Sequence, residues 1–422
     1  MDIPVKRSCL ASLILIAILA ASAVSAFGQD KNTKKPKVIV FGVNGAELDI
    51  LRPLIVRGEM PNLAKLMDMG VSGSLRTVAA PNCPKAYTTI QTSMPPEQHG
   101  VTGFIVGGIT ANTNMIKERP LWDILSKNGV GVGMANVPAT FPVQPVSGYM
   151  ISGMLTRGNA ESKCQDGVLC APKLSQVEGG DPVYPKTLIP ELTKEVGDFY
   201  IDCERMPGEG EIEGHEQEVV TKWLAKVDEI RAQQTKLFDY LLTNHPQDFT
   251  MMVQSCEDRV GHWLYPIQPF HVGYNPKVAS VRVEAFPDQY RAMDKVLGVV
   301  MSHMDDNTYF FMVSDHGIKP LRYHEAHDAH KDHAGTTPVI AKHDYEDGDE
   351  VPGTFVAVGP GIKKGVHLKS LQVSVYDIAP TVLKIYGLEI PKKMQGRVLY
   401  ELFGDSPAQP THTEHTHTMP SK

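Results

Sequence analysis

Tyr309-Phe310-Phe311-Met312-Val313-Ser314-Asp315-His316-Gly317 is the stretch from which the fold of this chain is read. Its opening is an apolar, aromatic and β-branched run, long enough for one strand buried on both faces of a parallel sheet. It then stops abruptly in Ser-Asp-His-Gly. A strand that delivers an adjacent carboxylate and imidazole at its C-terminal end places both at the rim where open α/β sheets bind ligands. Asp and His side by side suit a divalent metal, and the glycine after them leaves room for a tight turn.

Working outward, the same alternation of strand and helix recurs. Val38 to Val43 reads as a buried strand ending in Asn44-Gly45, followed by helical apolar spacing from Ala46 to Gly58. Pro61 to Met67 opens a second helix with proline in its first turn. Strands are expected at Ser74 to Val78, Val130 to Val137, Tyr149 to Met154, Phe249 to Val253 and Thr354 to Val358. Helices are expected at Leu121 to Lys127, from about Asp288 to Met304, and at Val375 to Tyr386, with a short closing helix after Gly396-Arg397-Val398. This pattern argues for an α/β sandwich of three layers around a mostly parallel sheet. It breaks between Leu155 and His245, where a Gly-, Pro- and charge-rich stretch precedes an amphipathic helix from Glu216 to Leu242. Residues 155–245 are read as an insertion or cap over the sheet.

Composition sets bounds. A hydrophobic content of 42% and charged content of 21% are ordinary for a water-exposed globular body. Residues 1–26 stand apart: Lys6 and Arg7, the apolar run Leu10 to Ala21 and the small residues Val24-Ser25-Ala26 have the pattern of a secretory signal peptide. The apolar run is short for a membrane anchor, so no stable anchor is expected after cleavage, and the mature chain is expected in a periplasm or secreted. Cleavage removes Lys6, Arg7 and Asp2, taking the formal charge from −7 to −8. That balance offers no nucleic-acid-binding footprint, so phosphate chemistry here would need a local cationic centre.

Cys9 leaves with the signal, and Cys83, Cys164, Cys170, Cys203 and Cys256 remain. Export permits disulfides; Cys164 and Cys170, close together in a loop-like stretch, are the expected pair, and the odd count leaves at least one thiol over.

Three strand ends bring polar residues to one rim. The first ends at Asn44, the second runs into Ser255-Cys256-Glu257-Asp258-Arg259-Val260-Gly261-His262, and the third supplies Asp315 and His316. Asp258 and His262 are four apart, so a helical turn would put both on one face, as half of a metal site. Set beside Asp315-His316, they suggest a two-metal constellation. His324, His327, His330 and His333 recur at a spacing of three, and could add a ligand; His412, His415 and His417 sit in the polar tail, 405–422.

The remaining unusual stretch is Ala80-Pro81-Asn82-Cys83-Pro84-Lys85-Ala86-Tyr87-Thr88-Thr89, closing in Pro96-Glu97-Gln98-His99-Gly100. Together with Pro61-Asn62-Leu63, Tyr87-Thr88-Thr89-Ile90-Gln91-Thr92, Ser314-Asp315-His316-Gly317, Gly359-Pro360-Gly361-Ile362 and Tyr376-Asp377-Ile378-Ala379-Pro380-Thr381, it resembles the alkaline phosphatase superfamily. The likeness is greatest to the type I phosphodiesterase/nucleotide pyrophosphatase branch and covers about Lys37 to Phe403, so 37–404 is read as the catalytic domain. The resemblance implies two zinc ions and a Thr or Ser nucleophile at the start of a helix. Two cations would neutralise phosphoryl oxygens, lower the nucleophile's pKa and steady the leaving oxygen. It implies Asp315 and His316 as ligands of the nucleophile-side metal and Asp258 and His262 as ligands of the other.

The chain departs from that family in three places. Asn44 stands where an Asp ligand is expected, which removes one negative charge. Cys83 occupies the nucleophile position. Where a His precedes the strand at Gly353, this chain has Asp349, Glu350 and Pro352, with His343 further back; Asp349 or His343 is the candidate substitute ligand. Cys83 is open to three readings: a nucleophile or soft zinc ligand, a formylglycine precursor as in sulfatases, or a residue that is inert or bridged to Cys256. The sulfatase pattern Cys-x-Pro-x-Arg is not met by Cys83-Pro84-Lys85-Ala86-Tyr87. The expectation is a metal-dependent hydrolase of a small-molecule phosphoester, of phosphodiesterase or nucleotide pyrophosphatase type. The rivals are a catalytically silent binding protein and a sulfatase-like hydrolase.

Overall fold

The computed structural model describes residues 35–159, 171–203, 216–265, 267–271, 274–320, 341–342, 351–369 and 372–404. The chain divides into Met1–Lys35 and a body, Pro36–Lys422. The expected signal peptide, Cys164 and Cys170, the histidines at 324, 327, 330 and 333, His343, Asp349 and the tail all lie outside the described residues.

The body is organised on a ten-stranded sheet. Its strands are β1 (Lys37–Val43), β2 (Val71–Arg76), β3 (Val132–Asn136), β4 (Gly148–Gly153), β5 (Val183–Tyr184), β6 (Phe249–Gln254), β7 (Thr308–Ser314), β8 (Gly353–Val358), β9 (Val366–His367) and β10 (Val373–Ser374). They are ordered β9-β2-β8-β7-β1-β6-β3-β4-β5, with β10 also paired to β2. Only β5 and β8 run against the rest. The helices used below are α1 (Leu48–Val56), α2 (Pro61–Met69), α3 (Cys83–Thr92), α4 (Leu121–Lys127), α5 (Leu188–Glu195), α6 (Glu216–Asn244), α7 (Cys256–Leu264), α8 (Ala279–Met301) and α9 (Ile378–Ile385).

Strand alternation builds two cores, one on each face. On one face Ile39, Phe41, Val43, Met252, Phe310 and Met312 pack with α1, α2, α6, α7 and α8. On the other, Val38, Val40, Met251, Val253, Phe311 and Val313 pack with α3, α4 and α9. The three-layer sandwich follows because β1, β6 and β7 are apolar at successive positions and must be covered on both sides.

Register places the site. Val43 at the end of β1 lies opposite Gln254 of β6 and Ser314 of β7, so the three central strands end together. Asn44, Ser255 and Asp315 therefore emerge at one rim, as the strand-end reading expects.

Several bounds differ from expectation. The helix expected from about Asp288 begins at Ala279 and runs through Pro287; Ala285, Phe286 and Tyr290 are buried there, and that packing offsets the backbone hydrogen bond a mid-helix proline forfeits. Within 155–245, β5 pairs antiparallel with β4, and α6 buries Val220, Trp223, Val227, Ile230, Leu237 and Leu241 in the core beneath the sheet. The proposed bridge between Cys83 and Cys256 is corrected: Cys256 pairs with Cys203, their Cα atoms 5.1 Å apart, and Cys83 is a free, buried thiol. Its sulfur faces Asn44, Asp258 and His316 instead.

Candidate functional site

Cys83 is the first residue of α3. Asn82 caps the helix, its side-chain oxygen accepting from the Lys85 backbone N–H at 3.2 Å, and Pro84 follows where a missing N–H costs nothing. The sulfur thus sits at a helix N-terminus, a position that favours an anion. Burial and the carboxylates of Asp315 and Asp258 act the other way and push the thiol well above its ordinary value. In the absence of a further cation the second effect wins, and the sulfur keeps its proton.

Around that sulfur the rim residues converge. Asn44 Nδ2 donates to Cys83 Sγ at 3.1 Å. His316 Nε2 lies 3.5 Å from the sulfur and Asp258 Oδ2 3.8 Å. Cys83, Asp315 and His316 each offer one donor atom, all within 4.8 Å of one another, and all three residues are buried. Asn44 presents its amide nitrogen to the sulfur, while its Oδ1 is buried with no hydrogen-bond partner. In this orientation the amide stabilises a thiolate; exchanging its two ends would present an oxygen to a metal.

His316 is oriented from behind. Its Nδ1 donates to the Gly317 carbonyl at 3.0 Å, which leaves Nε2 facing Cys83 and Asp315 Oδ2, the latter 3.2 Å away. Both Asp315 oxygens are buried with no hydrogen-bond partner, and burial, ahead of Asp258, raises that carboxyl to about 6. An imidazole lone pair and a carboxylate facing each other at this distance require a cation between them, a proton or a metal. The donor set of thiolate, carboxylate and imidazole fits a borderline-soft divalent ion such as zinc.

Local ties hold the strand ends in place. Ser314 Oγ donates to the His316 carbonyl at 2.7 Å and accepts from the Ala46 N–H at 2.9 Å, fastening β7 to the loop after β1. Gly45 has φ +71 and would bring a side chain within 3.0 Å of the Asp258 backbone, so only glycine fits there. Tyr290 OH donates to the Gly45 carbonyl at 3.0 Å.

The second expected pair is also formed. Asp258 and His262 lie on one face of α7, with His262 Nε2 3.5 Å from Asp258 Oδ1, and the His262 side chain is 31% exposed. Helix α7 is anchored at its start by the Cys203–Cys256 disulfide and by the Arg231–Glu257 ion pair at 3.5 Å, which joins it to α6.

Sequence reasoning did not single out three groups. Arg259 donates to Asp202 at 2.8 Å, and its charge acts on Cys83 and Asp258. The adjacency of Asp202 to Cys203 was the only signal for it. Glu47, buried at the N-terminus of α1, has a carboxyl raised to about 8, chiefly by burial and then by Asp49.

The type I phosphodiesterase/nucleotide pyrophosphatase family model matches residues 38–370, more than half of the chain. Among curated proteins, an extracellular sulfatase SULF-1 homolog of Drosophila melanogaster is 24% identical over 40% of this chain, and human arylsulfatase D is 28% identical over 30% of it. The aligned regions span 14% and 22% of those relatives' own lengths. Among solved structures, a 2-O GAG sulfatase matches with a TM-score of 0.54 over 90% of this chain and 76% of its own. A protein in complex with its substrate D-glucosamine-2-N,6-O-disulfate matches at 0.53 over 89% and 82%. Murine ectonucleotide pyrophosphatase/phosphodiesterase 5, as an inactive form in complex with AMP, matches at 0.50 over 88% and 100%. All three are 12% identical to this chain and bear on the fold alone. Among the described residues no helix is long and apolar enough to cross a membrane. With the strand-end cluster and the matched region in agreement, the chain belongs to the type I phosphodiesterase/nucleotide pyrophosphatase family, a hydrolase family within the alkaline phosphatase superfamily.

Proposed function

We propose that this chain is an exported, metal-dependent hydrolase of small-molecule phosphoesters, of phosphodiesterase or nucleotide pyrophosphatase type, with Cys83 at the nucleophile position. The observation that carries the reading is the buried Cys83–Asp315–His316 cluster, whose Asp315 oxygens have no hydrogen-bond partner. Asp315 and His316, with Cys83, are proposed to hold one zinc ion, and Asp258 and His262, with Asn44 turned or with Asp349 or His343, a second. Bound there, zinc would supply positive charge for the phosphoryl oxygens and lower the pKa of the thiol.

The chain's own groups divide the remaining work. The α3 N-terminus and the Asn44 N–H favour a thiolate at Cys83. Without metal the thiol proton has two acceptors within reach, Asp258 Oδ2 and His316 Nε2; with zinc held by those two residues the proton would leave to solvent as the metal binds. His316 is kept in one orientation by the Gly317 carbonyl, so its Nε2 cannot turn away from the sulfur. The leader pattern at 1–26, the disulfide and the likeness to an extracellular sulfatase support a periplasmic or secreted location.

The test is hydrolysis of a panel of phosphodiester, pyrophosphate and phosphomonoester substrates by zinc-loaded wild type, Cys83→Ser and Cys83→Ala. The reading predicts activity that requires metal and falls sharply in Cys83→Ala. Absence of turnover in metal-loaded wild type across the panel would leave the fold as a binding protein. A second reading, sulfate-ester hydrolysis, is favoured by the sulfatase relatives and by a cysteine at the start of α3. An aldehyde mass change at Cys83 with sulfate-ester turnover would establish it; an unmodified thiol counts against it.

A further inference from the structure

Helix α7 places two opposite charges at successive positions. Asp258 is buried against Cys83, whereas the Arg259 side chain, next along, remains 25% exposed. Arg259 Nη2 donates to Asp202 Oδ2 at 2.8 Å. The other Asp202 oxygen accepts from Ser255 Oγ and from the Cys203 backbone N–H, each at 2.8 Å. Cys203 is itself joined to Cys256, the first residue of α7. One carboxylate from the 171–203 segment is therefore fixed by the disulfide next to it, and it both ties down the entry to α7 and aims the guanidinium.

A guanidinium has five donors in a planar fork, and a single one is spent on Asp202; among the described residues no other side chain accepts from Arg259. The buried groups around the sulfur are the Asn44 amide, the His316 imidazole and the carboxylates of Asp258 and Asp315. An anionic ester approaching that centre meets two carboxylates; Arg259, next along from Asp258 and bonded to an Asp202 that rim residue Ser255 also holds, is a partly exposed cation beside them. The fork geometry matches two oxygens of a tetrahedral oxyanion.

We propose that Arg259 grips a non-bridging oxygen of the substrate's phosphate or sulfate group, and that Asp202, held by the Cys203–Cys256 disulfide, is its positioning residue. The inference rests on the hydrolase reading for its substrate class, and it makes anion affinity in this site depend on an intact disulfide.

The experiment is calorimetric titration of inorganic phosphate, and separately of inorganic sulfate, into full-length zinc-loaded protein. Arg259→Ala is expected to weaken binding by about tenfold or more, with zinc content unchanged. Arg259→Lys keeps the charge but not the fork and should recover only part of the loss. Asp202→Asn, and wild type treated with a reductant that opens the disulfide, should each raise KM or the anion Kd by about threefold with kcat held within about twofold. If Arg259→Ala lowers thermal stability, Arg259→Ala/Asp202→Ala removes the stranded carboxylate and should restore the fold without restoring anion binding. Preference between the two anions identifies phosphate or sulfate as the group recognised. Wild-type binding retained in Arg259→Ala, or zinc-loaded wild type that binds neither anion, overturns the inference. A wild type that takes up no zinc counts against the proposed function instead; titration of that metal-free protein then reads the arginine alone, with Arg259-dependent binding sustaining the inference and its absence overturning it.

Discussion

The two halves of the rim differ in how they hold their candidate ligands. On the β7 side, Asp315 and His316 leave the end of a central strand, are wholly buried, and meet Cys83 within 4.8 Å. On the α7 side, Asp258 and His262 sit on a helical turn, 3.5 Å apart, with the histidine nearly one-third exposed. The β7 half is preorganised by backbone pairing and short local ties: parallel strands in register, Ser314 tied to Ala46, and His316 tied to Gly317. The α7 half depends on side-chain links to α6 and to the 171–203 segment. Burial without satisfied hydrogen bonds is costly, and neither Asp315 oxygen has a hydrogen-bond partner, with His316 Nε2 3.2 Å from one of them. A cation is therefore worth more on the β7 side, and the two halves should lose metal unequally.

The largest effect expected is that of Asp315→Ala/His316→Ala on turnover: kcat/KM should fall by about 10³ or more, measured on the best substrate of the panel. Cys83→Ala should come next, lowering kcat by at least about 10² with one zinc or more retained; Cys83→Ser should keep part of the activity if the residue attacks, and none of it if the sulfur is needed as a soft ligand. His262→Ala should weaken one of two metal-binding steps by about 10–100-fold and leave the other unchanged, as read by competition with a zinc chelator. Equal losses from His262→Ala and from the β7-side variant would break the contrast between the halves.

The smallest effect concerns pH. Glu47 has a carboxyl raised to about 8 in the folded chain, against an ordinary value of 4.5. The folded state then binds more protons than the unfolded state between those values, so this group's contribution falls as pH rises through that window. Glu47→Gln should leave stability at pH 4, below both values, unchanged and raise Tm at pH 8 by about 2–4 °C or more. A Tm difference that grows toward low pH would contradict the burial argument.

Much of this arrangement is legible in the sequence because it rests on strand ends. Val38 to Val43, Phe249 to Val253 and Tyr309 to Val313 are uniformly apolar and end abruptly in polar residues, which fixes both the layer and the rim at which Asn44, Asp258 and Asp315 emerge. The four-residue spacing of Asp258 and His262 becomes a contact because α7 starts at Cys256. What depended on distant pairings was not legible. Cys256 has several cysteines to choose from, and nothing local distinguishes Cys203; with that pairing hidden, Asp202 and its hold on Arg259 were hidden too. The antiparallel course of β8 is likewise set by its neighbours β2 and β7, not by its own residues. The orientation of the Asn44 amide depends on the sulfur opposite it, 39 positions away.

The central claim is that the Cys83–Asp315–His316 cluster holds a metal ion, and the most direct test is zinc content by elemental analysis of full-length wild type beside full-length Asp315→Ala/His316→Ala. Both proteins carry the same histidines at 324–333 and 412–417, so the difference between them reports on the rim. The account predicts that the variant carries about one zinc per chain less than wild type, with its fold intact. Equal zinc in the two proteins, or no zinc taken up by wild type, would contradict it.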